Sequence, residues 1–513
     1  MALSLRPREL GSITATEELV RVSIGIDLGS SRIKLLALDE AGASLGVTMA
    51  SYATESRRPG YAEQNPDRWW DALRLAMSEL LARPALRGAK VDALGMTGQM
   101  HGAVCLDSNL TSIRPALMWS DGRAEAETAE IEKRIPREEL VAITGNRSNV
   151  SFTAPKIMWL ARHEPEVVAR TSWIVQPKDA LRARLTGEVY GDVSDASATL
   201  MFDLKARNWS DEICRRLEID RGRLAPLTES EGCAGGLRED AARALGLPAG
   251  IGVAVGGADA PAAALGLGLA SEAEADGQVL ISLGTGGQVL APVGKPTFDP
   301  EGRLHGLCHV VPDQWCVMAA ILSAAASLDW AVRLLKPGDP NGARELLAAA
   351  AKVPAGSDGL LFLPHLRGER TPHFDPNARG ALVGLSIGHG PAEITRAVLE
   401  GVAFALAEGL DLMRGLGIEP KSGVVAGGGV NRLWQQILAD VLNMPVALGA
   451  TEHASARGAA LLGAVAAGIA PSTAKSTWPL PKDTRVMEPN EARAEIYAER
   501  SAVYRELYGR LPR

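Results

Sequence analysis

Hydrophobic residues near the N-terminus form two short blocks separated by a small polar turn. The stretch RVSIGIDLGSSRIKLLALDEAG, from Arg21, predicts an apolar strand, the turn Gly29-Ser30-Ser31-Arg32, and a second strand. About 250 residues further on, GQVLISLGTGGQVLAP repeats this plan around the turn Gly284-Thr285-Gly286-Gly287. Two such hairpins predict a duplicated α/β architecture, with one copy opening each half of the chain.

A third glycine cluster joins a strand to a helix. In GVVAGGGVNRLWQQILADVLNMPV a short apolar strand enters Gly427-Gly428-Gly429, and apolar residues then recur at helical spacing. The cluster is either a plain strand-to-helix turn or a bare backbone shelf for a nucleotide base or ribose, with Asn431 close enough to bond it.

The last segment, EARAEIYAERSAVYRELYGRL, consists of helix-forming residues. It predicts a helix that docks on a neighbouring domain. Six of its residues are the candidates for that packing: Ala492, Ile496, Tyr497, Val503, Tyr504 and Leu507.

Length and charge narrow the function classes. A chain of 513 residues predicts two to four domains, and its 46% hydrophobic and 22% charged content is typical of globular proteins. A net charge of −7 gives no general attraction for nucleic acid or an anionic membrane, so neither is an expected partner. The longest apolar stretch, CVMAAILSAAASL, meets Asp329 before it could span a bilayer.

The termini and cysteines indicate where the chain works. The first 20 residues lack an apolar signal-peptide core and predict a loose tail. Five scattered cysteines without a CxxC pair fit reduced thiols in the cytoplasm better than a disulfide framework or a zinc site. His305 and His309 have a helical metal-ligand spacing, but HGLCHVV is more typical of a strand, where these residues lie far apart.

Glycine and serine turns of this kind suit phosphate binding. Glycine lets the backbone come close to a ligand, successive N–H groups point into one hollow, and Ser or Thr hydroxyls donate further hydrogen bonds. Each hairpin alone is weak evidence, whereas two facing turns could hold one polyphosphate between two domains. The sequence has no GxxxxGK[ST] P-loop and no GxGxxG after a strand in a Rossmann-like unit.

Asp259 is the one acid in VGGADAPAAALG, where every neighbour is small and uncharged. It is either the cap of the helix that APAAALGLG opens, with Pro261 favoured just inside, or a general base in a dry cleft. Helix-end amides are expected to keep its carboxylate ionised.

Nine motifs in order resemble the FGGY family of carbohydrate kinases: IDLGSS, TGQMHGAVCLD, WSDGR, FTAPK, GGADAPAAALG, LGTGG, RGERTPH, AVLEGVAF and GGGVN. The resemblance covers nearly the whole chain from about residue 22 to about residue 470. It implies an α/β, two-domain, actin-like (ribonuclease H-like) ATPase fold with the active site in the interdomain cleft. The expected segments are a tail (1–20), a sugar-binding domain (21–256), a nucleotide-binding domain (257–475) and a helical segment (476–513).

The resemblance also implies ATP-dependent phosphorylation of a sugar hydroxyl, with a ketopentose, D-xylulose first, as the acceptor and D-xylulose 5-phosphate as the product. It assigns Asp259 as the catalytic base and Asp27 as the acid that helps to hold Mg²⁺, mostly through water. ATP contacts are implied at nine positions: Gly29, Ser30, Ser31, Arg32, Gly284, Thr285, Gly286, Gly428 and Asn431. For Arg32 the alternative is a solvated surface charge.

Sugar contacts are implied at Gln99, Met100 and His101 of GQMHG. Without the resemblance, Met100 would be core filler and His101 an ordinary buried or surface histidine. In WSDGR an aromatic face at Trp119 and an acceptor at Asp121 suit a sugar. Asp195 in GDVSDASAT is a weaker candidate, with a turn cap as the equal alternative.

Some positions depart from the family pattern. Members that phosphorylate xylulose usually have Asn after the catalytic Asp, whereas this chain has Ala260; Ser120 and Gly286 are further departures. Because a lost hydrogen-bonding partner can change sugar preference, ribulose, L-xylulose, another ketose, or a glycerol-like polyol remains an alternative acceptor. A non-catalytic actin-like ATPase, as chaperone or sugar-sensing regulator, is the alternative from another class. Family members are often dimers, so the resemblance also implies a homodimer.

Overall fold

The computed structural model describes residues 20–269, 277–427, 430–449, 453–474, 478 and 485–511. Twenty-four strands lie in these ranges, and their bounds are β1 Arg21–Leu28, β2 Arg32–Asp39, β3 Ser44–Ser51, β4 Glu63–Gln64, β5 Lys90–Gly98, β6 Val104–Leu106, β7 Ala116–Leu117, β8 Trp173–Val175, β9 Gly191–Asp192, β10 Phe202–Asp203, β11 Asn208–Trp209, β12 Leu227–Thr228, β13 Cys233–Gly236, β14 Gly252–Ala254, β15 Gly257–Ala258, β16 Gln278–Leu283, β17 Gly287–Val293, β18 His305–Cys308, β19 Trp315–Ile321, β20 Leu361–Leu363, β21 Ala381–Val383, β22 Ser422–Ala426, β23 Val446–Leu448 and β24 Val486–Met487.

Sixteen α-helices lie in the same ranges. Their bounds are α1 Pro66–Leu81, α2 Glu125–Arg134, α3 Arg137–Thr144, α4 Thr153–His163, α5 Pro165–Arg170, α6 Pro177–Thr186, α7 Val193–Ala196, α8 Asp211–Arg216, α9 Glu239–Leu245, α10 Asp259–Gly266, α11 Ala325–Leu335, α12 Gly342–Ala350, α13 Pro391–Gly415, α14 Arg432–Leu442, α15 Ala454–Ala466 and α16 Glu491–Arg510. In the described part of the chain, no helix is both long and apolar enough to cross a membrane.

Two large mixed sheets carry the fold, and they share one plan. The first sheet has the order β13-β14-β5-β1-β2-β3, and β15 also pairs with β5. The second has the order β18-β19-β17-β16-β22-β23-β24. In each, an antiparallel hairpin (β1–β2 or β16–β17) is followed by a parallel strand (β5 or β22) on the outer side of the hairpin's first strand. The predicted hairpins, their duplication and the α/β class are therefore confirmed.

Helix α15 from the second half of the chain covers the first sheet. Gly25 of β1 and Gly95 of β5 leave room for its backbone, since a Cβ at Gly95 would lie 1.6 Å from the Ala459 carbonyl oxygen. On its other side α15 crosses α10 at Gly458, where a Cβ would lie 1.9 Å from the Ala262 carbonyl oxygen. The two halves are thus joined by backbone contacts that only glycine permits. The exact domain bounds stay a prediction.

The C-terminal segment docks, as its composition predicts, but only partly through the predicted residues. Helix α16 packs on α14 and α13, and Tyr497, Tyr504 and Leu507 are buried. Ile496 and Val503 are 42% and 45% exposed, because they lie on the solvent face of the helix. Ala492 is also exposed, so half of the predicted packing set was wrong.

Candidate active site

Three parallel strands end side by side at the first sheet's carboxyl edge. Leu28 of β1 and Ala258 of β15 both pair with Gly98 of β5. The next residues along these strands, Gly29, Gln99 and Asp259, therefore leave the sheet together. Carboxyl ends of parallel strands are where α/β proteins commonly bind ligands.

Asp259 is the first residue of α10. Ala258 is the N-cap, and the Asp259 carboxylate accepts a hydrogen bond of 2.8 Å from the Ala260 N–H, so this acid also satisfies a free amide of the first turn. Burial, together with the negative charge of Asp27, raises the pKa of Asp259 to about 7. The helix-end amides lower the pKa of this carboxyl group, as expected, but burial outweighs them, so the group is only partly ionised near neutral pH.

Asp27 lies near the end of β1 and is 8% exposed. Its carboxylate accepts a hydrogen bond of 2.6 Å from the Ser455 hydroxyl of α15, and the Lys34 ammonium is 3.9 Å away. Burial raises the pKa of Asp27, and the nearby Lys34 charge partly offsets this effect. Ser455 belongs to no motif that the sequence singled out, since only the tertiary contact between α15 and β1 brings it here.

Side chains hold the first glycine turn by its carbonyl groups. Gln64 donates to the Ser30 carbonyl at 2.7 Å, and Gln99 and the Tyr52 hydroxyl both donate to that of Gly29. The Tyr52 amide donates to the Ser31 carbonyl at 3.0 Å. Because these carbonyl groups are already hydrogen-bonded, the groups that remain on the exposed side of the turn are N–H groups and the two serine hydroxyls. Such donors are what a phosphate-binding turn needs.

Arg32 does not point across this turn. Its side chain is exposed and contacts the Met49 sulfur at 3.7 Å. The position favours the alternative of a solvated surface charge over the predicted contact with the transferring phosphate.

GQMHG turns back from β5 in a strained bend. His101 has φ 66°, its Nδ1 lies 2.7 Å from the Ala198 carbonyl oxygen, and its ring packs edge-on against Phe152 at 4.6 Å. Burial holds the pKa of His101 well below its usual value, so the ring is neutral. With Nδ1–H donating to Ala198, Nε2 is a hydrogen-bond acceptor.

The two residues before His101 face elsewhere. Gln99 is buried, and its Nε2 donates to the first turn and to the Gln64 side chain, while its Oε1 has no partner among the described residues. Met100 packs in an apolar cluster with Ala260, Leu280 and Met318, which joins the two sheets. The position of Met100 agrees with the filler alternative.

Trp119 and Asp121 contact different parts of the structure, although sequence analysis assigned both to the sugar. The Trp119 indole N–H donates to the Ser30 hydroxyl at 2.9 Å, which ties it to the first turn. Both Asp121 oxygens are engaged: they accept from the Arg123 guanidinium at 2.8 Å and from the Ala62 amide at 2.6 Å. Because Asp121 is only 1% exposed, it lies inside the wall of the site, contrary to its predicted contact with the sugar.

The second and third glycine clusters are neighbours in the second sheet. The N-terminus of α11 donates to the Thr285 and Gly284 carbonyls, at 2.9 Å each. A Cβ at Gly286 would lie 2.6 Å from the Ile321 carbonyl oxygen, which explains glycine at this departure from the family pattern. Gly427 has φ 139°, and a Cβ there would lie 2.2 Å from the Leu283 carbonyl oxygen, so this turn abuts the end of β16.

The two predicted adenosine contacts differ in what can be described. Asn431 caps α14 by accepting a hydrogen bond of 3.1 Å from the Trp434 amide. Its Nδ2 is buried without a protein partner in the described ranges, so a donor is left for a ligand. Gly428 lies outside the described residues.

A buried ionic network lies behind Asp259. Lys178 contacts Asp192 at 2.5 Å and Asp195 at 3.6 Å. Burial raises the pKa of Asp195 well above its usual value, and neither of its oxygens has a hydrogen-bond partner in the described part of the chain. The turn-cap alternative belongs to Asp192, which accepts from the Ser194 and Asp195 amides.

Ser194 is a residue that the sequence did not single out. Its hydroxyl donates to Asp192 and accepts a hydrogen bond of 2.9 Å from the Ala258 amide, directly before Asp259. No sequence signal marked this serine, because its role depends on α7 meeting β15.

His305 and His309 are buried at the predicted strand, β18, and just after it. Burial lowers the pKa of each to about 3. Within the described ranges, no group of three or more histidines, cysteines or acids is arranged to hold a metal ion.

Comparison with known proteins places these features in a family. The model of the N-terminal domain of the FGGY family of carbohydrate kinases matches residues 22–266, and that of the C-terminal domain matches residues 279–467. A curated xylulose kinase of Escherichia coli is 38% identical over 95% of this chain and 99% of its own length. One from Bacillus subtilis is 33% identical over 94% of this chain and 96% of its own length.

Two solved structures have the same fold as this chain. A crystal structure described as a xyloylose kinase from Brucella ovis superposes with a TM-score of 0.87 at 35% identity, over 95% of this chain and 99% of that one. A xylulose kinase structure from Rhodospirillum rubrum gives a TM-score of 0.86 at 30% identity, over 96% and 99%.

Proposed function

Because the chain belongs to the FGGY family of carbohydrate kinases, we propose that Asp259 is the base with which it transfers the γ-phosphoryl group of ATP to O5 of D-xylulose. FGGY kinases use ATP as the phosphate donor, and relatives named xylulose kinase match almost the full chain, so this chain is a sugar kinase acting on xylulose. The observation that carries the residue assignment is the convergence of Asp259 with the first phosphate turn at the ends of β15, β5 and β1.

The sugar hydroxyl must lose a proton as it attacks the γ-phosphorus in line. A carboxylate whose pKa is about 7 is well suited to accept that proton, since its basicity is matched to neutral pH. Its hydrogen bond from the Ala260 amide fixes its orientation, and Ser194 holds the preceding peptide. These contacts support Asp259 as a preorganised base.

The two glycine turns and Asn431 are the proposed ATP site. The first turn offers N–H groups and the hydroxyls of Ser30 and Ser31 to the terminal phosphates, and Thr285 offers a hydroxyl from the second sheet. The unpartnered Asn431 Nδ2 supports a contact with adenosine.

Mg²⁺ would be held by Asp27. Asp27 supplies one buried carboxylate next to the glycine turn that is proposed to bind phosphate. This suits Mg²⁺, because the ion keeps most of its water ligands and is otherwise bound by phosphate oxygens. When bound, the ion would neutralise charge on the phosphates. Ser455 and Lys34 orient the Asp27 carboxylate.

Ala260 does not argue against xylulose. Its methyl group is 5% exposed in the apolar cluster with Met100 and Met318. An asparagine amide at this position would need hydrogen-bond partners, which the apolar cluster does not provide. The replacement of Asn by Ala therefore agrees with the apolar side chains around it.

The test is ADP release by the purified protein with Mg²⁺-ATP and a panel of ketoses and polyols, ranked by kcat/KM. D-Xylulose should exceed every other acceptor by at least tenfold. A different best acceptor would reassign the substrate within the family. ATP turnover that no sugar stimulates would contradict the kinase proposal and favour a non-catalytic actin-like ATPase. A cytoplasmic location and a homodimer stay predictions.

A further inference from the structure

Arg370 reaches the sugar side of the site from the opposite half of the chain. It lies in RGERTPH, after β20, and its guanidinium donates to the Ser151 hydroxyl at 2.6 Å. The guanidinium carbon lies 5.9 Å from the centre of the Trp119 ring. Ser151 and Trp119 both belong to the first half, so this arginine spans the cleft.

The guanidinium has no ion-pair partner within 4 Å among the residues described. The charged or titratable groups that its charge affects are the buried Lys156, His101 and His305, and it helps to lower the pKa of each. The nearest acid in sequence, Glu369, instead binds His365 at 2.8 Å and accepts the Arg370 backbone amide. Arg370 is half-buried, and its guanidinium makes a hydrogen bond to the Ser151 hydroxyl, so its remaining N–H donors can bind a polar group of a ligand in the cleft.

Trp119 gives the direction in which that ligand lies. One edge of the indole donates to Ser30 in the phosphate turn, and Arg370 lies near the ring. Trp119 thus links the phosphate turn to Arg370. A sugar whose reacting hydroxyl points to the turn and Asp259 extends its other end toward Arg370.

The chemistry of a ketopentose identifies the group at that end. The five-membered ring of a 2-ketopentose closes through O5, which is the hydroxyl to be phosphorylated. The reacting form must therefore be the open chain, and its C2 carbonyl is free. A carbonyl oxygen is a hydrogen-bond acceptor only, and a guanidinium is a donor only.

We propose that Arg370 binds the C2 carbonyl and the adjacent C1 hydroxyl of the open-chain ketose, and thereby makes the enzyme prefer ketoses over polyols of the same length. The inference rests on the proposed function, because it assumes that the sugar reacts at Asp259. It deepens that function by naming the substrate class that the site selects.

The experiment compares D-xylulose with xylitol and D-arabitol, which differ from it only by reduction of the carbonyl. The quantities are kcat/KM for phosphorylation and, for poorly reacting polyols, their inhibition constants against D-xylulose. In Arg370→Met the preference for the ketose should fall at least tenfold relative to wild type, whereas the KM for ATP should stay within about threefold. Arg370→Lys should keep part of the preference, because it retains a charged donor but not the planar fork.

A matched control is Arg207→Met. Arg207 also crosses between the halves, donating to the Gln314 carbonyl at 2.9 Å, but it is paired with Glu229 at 2.7 Å. Its removal should leave the ketose preference unchanged. Ser151→Ala, which removes only the anchor of Arg370, should lower the preference by a smaller factor and keeps the test decisive if Arg370→Met does not fold.

Two failures are distinguishable. If wild type does not phosphorylate D-xylulose, the proposed function fails. If wild type does so, but folded Arg370 variants or Ser151→Ala lose activity on ketose and polyol by equal factors, Arg370 is structural and this inference alone is overturned.

Discussion

Replacing Asp259 by Asn tests the proposed base most directly. The amide keeps the shape of the side chain, and its Oδ1 can still accept the Ala260 N–H, but it cannot take a proton from the sugar hydroxyl. A positioned general base contributes roughly 10²- to 10⁴-fold, so sugar-dependent turnover should fall at least 100-fold. ATP affinity should be nearly unchanged, since Asp259 does not belong to either phosphate turn.

The same change should stabilise the fold at high pH. The pKa of Asp259 is raised from 3.8 to about 7, so the ionised form is disfavoured in the folded chain. Both states bind the proton below pH 3.8; between pH 4 and 7 the unfolded chain loses it first, and the native protein loses stability. The full shift corresponds to roughly 4 kcal/mol. Because the carboxyl is partly open to the cleft, we expect Asp259→Asn to gain about 1–2 kcal/mol at pH 8 and little at pH 4.

The assays are ADP release with D-xylulose, ATP binding by calorimetry, and urea unfolding at pH 4 and 8 in EDTA without ligands. For wild type, kcat/KM should rise with pH toward a plateau above about pH 7, because the base must be ionised.

Asp195→Asn is the matched control. Burial raises the pKa of Asp195 well above its usual value, so an uncharged amide of the same shape is a close substitute for its carboxyl group. This variant should keep at least a tenth of wild-type turnover. More than a tenth retained by Asp259→Asn, about 1.4 kcal/mol of barrier, would refute its role as the base.

Three further predictions concern the packing, two of them with a matched control. Gly95→Ala should cost at least ~3 kcal/mol or prevent folding, because its Cβ would meet the Ala459 carbonyl at 1.6 Å; Gly415→Ala, with open space around it, should be neutral or stabilising in urea unfolding. Tyr497→Phe should lower the free energy of unfolding by about 1–3 kcal/mol, because the Tyr497 hydroxyl donates a hydrogen bond of 2.6 Å to the Glu400 carboxylate. Tyr504→Phe should leave it unchanged, because the buried Tyr504 hydroxyl has no hydrogen-bond partner in the described residues. Thermal melts that rank the two variants in the reverse order would contradict this prediction. Ala260→Asn should cost about 1–3 kcal/mol and leave the KM for D-xylulose no lower, and a lower KM would show that the missing amide does contact the sugar.

Local pattern was sufficient for the hairpins and for the glycine turns. Alternating or continuous apolar runs bounded by Gly and Ser determine β1–β2 and β16–β17, and the repeated plan predicted the duplicated sheets. The position of Asp259 at a strand-to-helix turn was likewise local. Its pKa was not, because the burial and the Asp27 charge that raise it come from distant parts of the chain.

One cause explains why Asp121 was misplaced and why Arg370 received no role. Asp121 was assigned to the sugar from its chemistry and its motif. In the structure its carboxylate instead accepts hydrogen bonds from Arg123 and from the Ala62 amide. The local sequence does not show which acidic side chain will be paired within the protein. Arg370 stood in a quoted motif without a role, since its contact with Ser151 joins residues 219 positions apart. Such contacts follow from the tertiary arrangement and not from spacing.

The packing of α15 on the first sheet also has a consequence for folding during translation. Residues 454–466 are synthesised more than 350 residues after β5, so the apolar face at Gly25 and Gly95 stays uncovered through most of translation. A nascent chain halted near residue 256 would expose strands that its own helices do not shield there. Separate expression of the first half should therefore yield aggregates, and co-expression of the remaining segment in trans should rescue its solubility.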